Sequence, residues 1–367
     1  MNPMRLLICA GGTGGGVYPA LAVLQTETNK NTEVLWVGSD DGLEADLVKR
    51  AGIAYRGIPA AGLHGVNILS IPKRLYKLAK GYFAAKKIIR EYQPDVMFFT
   101  GGYVGFPIAL AGRKVPSVLF VPDIEPGMAL NMLSKNADLV TVVCEDSKKY
   151  FPNASRIEVT GYPTRKDIRK WDKAAALQHF GLSSQLPVLF VFGGSKGARS
   201  INHALKDNLS KLLDRCQVIH ITGTGDWDEM NAFYNGLSGA DRERYKMFPY
   251  LHEEMGAAFS AADLIISRAG ASTLGEFPLF GVPAILVPYP YAWRYQKVNA
   301  DYLVSKNAAV LLRDEDLPAQ MVPVVADLLD SPEKLESMKA SMRQLAQPDA
   351  AEKIMDLLRK SAKNKDH

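Results

Sequence analysis

The sequence predicts an α/β protein with two Rossmann-like, parallel-sheet domains. Apolar runs of strand length alternate with helical stretches along nearly the whole chain, as in parallel sheets covered by helices. The segments 6–16 (LLICAGGTGGG) and 188–198 (VLFVFGGSKGA) also share one design, since each is an apolar strand that enters a glycine loop and opens a helix. With 367 residues and 47% hydrophobic content, the chain is long enough to form two cores.

The apolar runs divide into two sets of predicted strands. The first half contains 4–10, 33–38, 54–58, 95–99, 116–121, 138–144 and 156–160. The second half contains 187–192, 217–221, 245–249, 263–267, 283–287 and 308–312. We place the domains at 1–162 and 163–344, and we expect a charged helix at 345–363 to pack back on the first domain.

Both glycine loops are suited to binding a phosphate. Glycine allows close backbone approach, and free N–H groups meet the positive end of the helix dipole there. Neither loop has the G-x-G-x-x-G dinucleotide spacing, because Val17 and Ala198 stand where the last glycine would fall. A tight strand-to-helix turn is the alternative interpretation of one loop alone, but a matched pair favours two nucleotide-fold halves.

Composition excludes several classes of protein. The three cysteines, Cys9, Cys144 and Cys216, lie far apart in apolar surroundings, which indicates reduced thiols and neither a disulfide framework nor a metal site. No apolar run approaches the roughly 20 residues of a membrane-spanning helix. We therefore expect a cytoplasmic protein that is neither secreted nor integral to a membrane.

The segment after the predicted strand 263–267 carries unusual chemistry. It reads RAGASTLGE, from Arg268 to Glu276, and begins a helix. A Glu in the first turns can accept hydrogen bonds from a ribose diol, while Ser272, Thr273 and free amides face phosphate. The alternative is a capped helix in which Glu favours the N-terminal dipole by about 0.3–1 kcal/mol.

These motifs together resemble the MurG-type glycosyltransferases, which move N-acetylglucosamine from a uridine nucleotide to a lipid-linked muramyl-pentapeptide. The resemblance covers nearly the whole chain. It rests on GGTGGG followed by VYPALA, EADLV at 44–48, PDV with FFTGGYVGFP at 94–107, GYPTR at 161–165, GGSKGARSIN at 193–202, RAGASTLGE at 268–276 and YQKVNA at 295–300. It implies the GT-B architecture, two Rossmann-like domains facing across a cleft, with no metal or organic cofactor.

The resemblance also implies a set of donor-binding residues. Ser195 and its loop would hold the diphosphate, and Arg165 would supply positive charge to the departing UDP, which stabilises the negative charge that grows there. Glu276 would hold the ribose and Gln296 the sugar hydroxyls. The full implied set is Thr13, Gly14, Gly15, Arg165, Ser195, Leu251, Arg268, Ala271, Ser272, Thr273, Leu274, Gly275, Glu276 and Gln296. Alternatively, Arg165 forms an interdomain salt bridge and Gln296 lies on a helix surface.

The chain departs from the family pattern mainly on the acceptor side. Gly16 stands where the family's glycine loop usually ends in histidine, and VPDIEPG at 121–127 replaces the signature HEQN. Tyr295 occupies the place of a family glutamine or histidine. The donor half follows the family, so a changed acceptor stays open.

An inverting transfer needs a group that takes the proton from the attacking hydroxyl. Asp123 and Glu125 are the leading candidates because they follow a predicted strand, and His64 in GLHG is a third. The alternatives are that the two acids cap a helix starting near Gly127 and that His64 is a surface loop residue.

The predicted helix 73–91 is the best candidate for contact with an anionic membrane surface. The proposed membrane contacts are Lys73, Arg74, Lys77, Lys80 and Lys87, and a second stripe contains Leu75, Leu78, Tyr82 and Ile89. A helix that covers the sheet with a solvated basic face is the alternative. Nucleic acid is disfavoured as a partner, because no recognition motif accompanies the basic residues.

The sequence thus predicts inverting, metal-independent transfer of N-acetylglucosamine from UDP-N-acetylglucosamine to a polyprenyl-pyrophosphate-linked muramyl-pentapeptide. The enzyme would act in cell-wall synthesis, peripherally at the inner face of the cell membrane. Three alternatives stay open: a glycosyltransferase of another lipid such as diacylglycerol, a UDP-N-acetylglucosamine 2-epimerase, and an inactive protein that binds UDP-sugars.

Overall fold

The chain forms two compact units in a computed structural model that describes residues 3–11, 14–27, 31–40, 44–60, 71–154, 156–194 and 196–363. Unit 1 contains Met1–Arg165 and Gln347–His367, and unit 2 contains Lys166–Ala346. Among the helices in these ranges, none is long and apolar enough to cross a membrane.

Unit 1 is built on a parallel sheet in the order β3-β2-β1-β4-β5-β6-β7. Its strands are β1 (Met4–Cys9), β2 (Thr32–Ser39), β3 (Ala54–Ile58), β4 (Val96–Phe99), β5 (Ser117–Val121), β6 (Leu139–Val142) and β7 (Ile157–Val159). All side chains of β4, β5 and β6 are buried, because helices cover both faces of the sheet. This double burial is why these strands are mostly apolar.

The helices of unit 1 connect consecutive strands, apart from the last one. They are α1 (Gly14–Leu24), α2 (Glu44–Arg50), α3 (Ile71–Tyr92), α4 (Gly105–Ala111) and α5 (Met128–Ser134), followed by the 3₁₀ helix Glu145–Tyr150. The last helix of the chain, which we call α15 (Ala350–Lys363), returns from the far end of the sequence and packs against α1, β4 and β5.

Unit 2 has a parallel sheet in the order β10-β9-β8-β11-β12-β13. Its strands are β8 (Val188–Phe192), β9 (Gln217–Ile221), β10 (Tyr245–Phe248), β11 (Leu264–Ser267), β12 (Ala284–Leu286) and β13 (Ala309–Leu311). Its helices are α6 (Lys173–Phe180), α7 (Arg199–Leu213), α8 (Trp227–Asn235), α9 (Gly239–Arg244), α10 (Met255–Ala261), α11 (Thr273–Phe280), α12 (Trp293–Ser305), α13 (Leu317–Leu329) and α14 (Pro332–Gln344), with 3₁₀ helices Lys166–Lys170, Pro290–Ala292 and Asp314–Asp316.

The predicted α/β class with two Rossmann-like sheets is confirmed. Each predicted strand is present, with ends that differ by at most two residues. In both sheets the glycine loop follows the strand at which the sheet order reverses, β1 in unit 1 and β8 in unit 2. Ligands of doubly wound sheets bind beyond the carboxyl ends of the strands at this reversal. These two loops are therefore the expected binding sites of the two units.

Candidate functional site

The glycine loop between β8 and α7 packs against the turn that follows β9. Gly194 and Gly197 have positive φ angles of 90° and 81°, a conformation that favours glycine. A Cβ atom on Gly197 would lie 2.1 Å from the carbonyl oxygen of Thr222, so no other side chain fits there. The loop is therefore held by backbone approach, and the predicted diphosphate ligand Ser195 lies in it, outside the described residues.

A buried polar network fixes the start of α7 behind this loop. Asn202 Nδ2 donates to Thr222 O at 2.9 Å and to Asp226 Oδ2 at 2.8 Å. His220 lies 3.0 Å from Asn202 Oδ1 through Nε2 and 2.8 Å from the Tyr245 hydroxyl through Nδ1. Burial lowers the pKa of His220 to about 3, so the imidazole is neutral at physiological pH. The network therefore joins α7 to β9, β10 and the turn beside the loop.

The motif 268–276 forms the turn between β11 and α11. The helix begins at Thr273, whose hydroxyl donates to Gly270 O at 2.7 Å. Glu276 lies in the first helical turn, and its backbone N–H donates to Ser272 O at 2.8 Å. The structure thus brings the predicted ribose and phosphate ligands of this motif together, including Ala271, Leu274 and Gly275.

Gln296, the predicted sugar ligand, lies in the first turns of α12. Its Oε1 accepts the backbone N–H of Tyr289 at 2.7 Å, so the remaining polar atom of the amide, Nε2, is a donor. The buried Asn299 donates to Ala269 O at 3.2 Å and ties the same helix to the β11 turn. Leu251, the predicted uracil contact, is buried three residues after the end of β10.

Arg268, predicted to bind the donor, directs its guanidinium at groups of the protein. Its Nη1 donates to the Asp314 carboxylate and, at 3.2 Å, to Val287 O. Its Nη2 donates to Ser200 Oγ at 2.8 Å, and the side chain is only 10% exposed. The sequence did not suggest the partner Asp314, which lies on another loop of the sheet.

The glycine loop of unit 1 packs closely against the loop after β4. Thr100 is buried and donates from Oγ1 to Gly16 O at 2.6 Å. A Cβ atom on Gly16 would lie 3.1 Å from Thr100 O, and one on Gly102 would lie 2.7 Å from Gly11 O. Gly16, which replaces the family histidine, is therefore packed against the carboxyl end of β4.

The implied ligands of this first loop are only partly described. Gly14 and Gly15 begin α1, whereas Thr13 and the candidate base His64 lie outside the described residues. Arg165 belongs to unit 1, where its guanidinium carbon is 5.7 Å from the centre of the Tyr18 ring on α1.

Glu44, in the EADLV motif, is a buried acidic residue beside the first glycine loop that the sequence did not single out. Its side chain is buried beside the first glycine loop, and Oε1 accepts the backbone N–H of Ser39 at 3.0 Å. A Cβ atom on Gly11 would lie 2.6 Å from this oxygen. An acidic residue just after a strand, in EADLV, was the available signal.

The candidate bases Asp123 and Glu125 follow β5, as predicted. Glu125 is buried and Asp123 is partly exposed. The next helix, α5, begins at Met128 with Gly127 as its N-cap residue, so neither acid occupies the capping position. Both acids therefore lie beyond the carboxyl end of a central strand and before the N-cap residue of α5.

The predicted helix 73–91 is present as α3, but its exposed apolar residues differ from the predicted stripe. Gly81, Ala85 and Ile88 are buried, and Leu78, Tyr82 and Ile89 are partly buried. The most exposed large apolar side chains of α3 are Leu75, which belongs to the predicted stripe, and Tyr76 and Phe83, which do not, at 52%, 63% and 68%. Within the described chain, no three or more His, Cys, Asp or Glu side chains form a group that could hold a metal ion.

Both halves of the chain match models of one enzyme family. Residues 6–141 match the model described as the glycosyltransferase family 28 N-terminal domain. Residues 188–354 match the glycosyltransferase family 28 C-terminal domain.

Relatives with similar sequences carry one name. The chain is 39% identical to a Desulforamulus reducens protein, over 97% of this chain and 98% of the relative. It is 38% identical to a Roseiflexus sp. (strain RS-1) protein, over 98% of this chain and 95% of the relative. Both are named UDP-N-acetylglucosamine--N-acetylmuramyl-(pentapeptide) pyrophosphoryl-undecaprenol N-acetylglucosamine transferase.

Solved structures give a consistent picture of the fold. Acinetobacter baumannii MurG is 27% identical, with a TM-score of 0.78 and coverage of 98% of this chain and 100% of that chain. Neisseria meningitidis UDP-GlcNAc 2-epimerase has a TM-score of 0.67 at 15% identity, over 97% of this chain and 100% of that chain. The likeness to the epimerase concerns the fold alone.

Proposed function

The chain belongs to glycosyltransferase family 28 and has the GT-B fold, and on this premise we propose that it transfers N-acetylglucosamine from UDP-N-acetylglucosamine to a lipid-linked muramyl-pentapeptide. The acceptor is a polyprenyl-pyrophosphate carrier of the muramyl sugar, and the product is the lipid-linked disaccharide from which peptidoglycan is built. Relatives at 34–39% identity over nearly the whole chain carry this activity in their names.

The convergence of donor-site elements in unit 2 is the observation that carries the proposal. The glycine loop after β8, the α11 turn with Glu276 after β11, and Gln296 after β12 lie at the carboxyl ends of neighbouring strands. Backbone N–H groups of the loop and of the helix start are suited to a diphosphate. Glu276 accepts hydrogen bonds from the ribose diol, and Nε2 of Gln296 donates to a sugar hydroxyl.

Charge develops on the UDP leaving group as the sugar bond breaks. Preorganised N–H donors and a guanidinium stabilise such charge at no cost of reorganisation. We assign the N–H donors to the loop that contains Ser195 and the guanidinium to Arg165. The transfer is inverting and uses no metal ion.

Unit 1 supplies the acceptor side and the general base in this proposal. Either Asp123 or Glu125 accepts the proton of the attacking muramyl hydroxyl, because both follow β5, and ligands of such sheets bind beyond the carboxyl ends of the strands. We expect Asp123→Asn or Glu125→Gln to lower kcat by at least about 100-fold with little change in UDP-sugar affinity. If both variants turn over at the wild-type rate, the base has been assigned wrongly.

Helix α3 is the proposed contact with an anionic membrane at the cytoplasmic side. Tyr76 and Phe83 are seven residues apart and share a helix face with Lys73, Lys80 and Lys87. Lys80 Nζ is 4.9 Å from the centre of the Tyr76 ring. Exposed aromatic rings among lysines suit the boundary between acyl chains and anionic headgroups.

A groove beside this face supports the same assignment. It has a volume of about 480 Å³ and lies between α3 and the end of α4. Its lining includes the apolar Phe83 and Ile89 and the basic Lys86, Arg90 and Lys114. An acyl chain with a phosphate headgroup matches this combination of apolar lining and positive charge.

The decisive experiment is sugar transfer from labelled UDP-N-acetylglucosamine to purified lipid-linked muramyl-pentapeptide, with a chelator and no added metal. We expect transfer that requires the lipid acceptor. Conversion of the UDP-sugar without lipid would indicate an epimerase, and preference for UDP-galactose with diacylglycerol would indicate a different glycolipid enzyme. Binding without turnover on any acceptor would indicate an inactive UDP-sugar-binding protein.

A donor-site variant tests the role of unit 2 directly. Glu276→Ala removes the proposed ribose contacts and is expected to weaken UDP-sugar binding about tenfold or more, the loss of charged hydrogen bonds. Glu243→Ala, which removes an exposed carboxylate of the same unit, is the control and is expected to bind normally. Unchanged affinity of Glu276→Ala would refute the ribose assignment.

A further inference from the structure

One guanidinium in unit 2 joins the loops that follow four neighbouring strands of the sheet. Arg268 follows β11 and donates to Val287 O after β12, at 3.2 Å. It also donates to the carboxylate of Asp314, after β13, and to Ser200 Oγ in the first turn of α7, after β8. These strands are adjacent in the order β8-β11-β12-β13. We call Arg268, Asp314 and Ser200 the clamp.

The three side chains of the clamp also form hydrogen bonds with one another. Ser200 Oγ donates to Asp314 Oδ1 at 2.7 Å and accepts from Arg268 Nη2 at 2.8 Å. The side chains of Arg268 and Asp314 are 10% and 21% exposed. Because Asp314 neutralises the guanidinium at contact distance, we assign Arg268 to holding these loops and not to binding the nucleotide phosphates. Removing one member of such a shielded pair leaves the other charge poorly compensated.

The clamp continues to the residue that is proposed to bind the sugar. The guanidinium carbon of Arg268 is 5.3 Å from the centre of the Tyr289 ring. The backbone N–H of Tyr289 in turn donates to Gln296 Oε1 at 2.7 Å. Asn299, three residues further along α12, ties the helix to the turn after β11 by donating to Ala269 O at 3.2 Å. The orientation of the Gln296 amide therefore depends on where the clamp holds the Tyr289 loop.

We propose that Arg268 and Asp314 are positioning residues that determine recognition of the sugar of the donor, while the nucleotide is recognised without them. The inference rests on the proposed function, in which Gln296 donates to a sugar hydroxyl. A polar group displaced by about 1 Å loses much of its contribution, so a loosened clamp weakens sugar binding through Gln296. UDP alone lacks the sugar and is indifferent to this change.

The experiment compares Asp314→Asn with Asp316→Asn in the full chain. Asp316 belongs to the same short helix but pairs with the exposed Arg313, at 2.8 Å, which makes it a matched control. Calorimetry gives the Kd of UDP and of UDP-N-acetylglucosamine for each protein. For Asp314→Asn we expect the UDP-sugar Kd to rise about tenfold, or 1.4 kcal/mol, and the UDP Kd to stay within about twofold.

Discrimination between sugars is the second readout, which a loss of folded protein alone would not change. The preference for UDP-N-acetylglucosamine over its C4 epimer, UDP-N-acetylgalactosamine, is expected to fall in Asp314→Asn and to persist in Asp316→Asn. Ser200→Ala removes only the hydroxyl of the clamp and is expected to show the same changes at smaller size. Ser200→Ala replaces Asp314→Asn in the experiment if Asp314→Asn does not fold.

Two results would overturn the inference. A parallel rise in the Kd of UDP and of the UDP-sugar would mean that the clamp serves the nucleotide or the whole unit. Unchanged affinities and unchanged sugar preference would mean that it has no role in recognition. Failure of the proposed function is detected by a different measurement. In that case the wild-type protein transfers no sugar to the lipid acceptor, whatever its Kd values for UDP and the UDP-sugar are.

Discussion

His220 is expected to make the stability of unit 2 sensitive to mild acid. The side chain is completely buried, with the Tyr245 hydroxyl at Nδ1 and Asn202 Oδ1 at Nε2. Because Asn202 presents an oxygen, Nε2 carries the proton, and Nδ1 accepts from the Tyr245 O–H. A second proton on Nδ1 would place a positive charge in a fully buried site, so burial favours the neutral imidazole.

The magnitude follows from the lowered pKa. An unfolded histidine has a pKa of about 6.5, and burial lowers that of His220 to about 3. Between these values the unfolded chain binds a proton that the folded chain does not, so stability is lost as the pH falls through this range. Between pH 7 and pH 5 the loss from this residue is about 2 kcal/mol.

Hydrogen exchange of the β9 amides measures this effect, after correction for intrinsic exchange rates. The free energy of opening is compared at pH 7 and pH 5 for the wild type and His220→Gln. The glutamine supplies an amide for hydrogen bonding but does not titrate. The wild type is expected to lose about 2 kcal/mol more than the variant. His203→Gln, a substitution of a more exposed histidine on α7, is the control and should retain the wild-type loss. Equal losses in wild type and His220→Gln would refute the reasoning.

Three further substitutions test the packing of the loops and the membrane surface. Gly197→Ala places a Cβ 2.1 Å from Thr222 O at a positive φ, and we expect it to destabilise unit 2 by about 2 kcal/mol or more in urea unfolding. Gly239→Ala is the control, because Gly239 has open space around it, and we expect no such loss. Thr100→Val removes the hydroxyl that donates to the first glycine loop, and we expect it to lower the free energy of unfolding of unit 1 by about 1–3 kcal/mol in the same measurement. A loss near zero would contradict the assigned contact. Phe83→Ser removes an exposed aromatic ring of α3, and we expect it to lower binding to anionic vesicles in a flotation assay without changing the affinity for UDP. Binding at the wild-type level would exclude this ring from the membrane contact.

The two glycine loops illustrate how far local sequence determined this protein. Parallel strands that are buried on both faces are rich in apolar residues, so β8 and its neighbours can be predicted without the structure. Glycines directly after such strands mark places where backbones approach closely. The motif 268–276 was likewise readable, because its small residues, hydroxyls and carboxylate follow one another along the chain.

The partners of these residues were decided by the tertiary structure. Arg268 and Asp314 are 46 positions apart, and His220 and Tyr245 are 25 apart. Nothing local to either residue specifies such a pair, because it forms only when strands from different parts of the chain become neighbours. The same reason explains α3, where helical periodicity located the basic stripe but packing on the sheet decided that Tyr76 and Phe83 are exposed. Sequence thus determined the strands, the loops and the chemistry available at each, while the three-dimensional arrangement of the sheets decided which groups meet and which side chains face solvent.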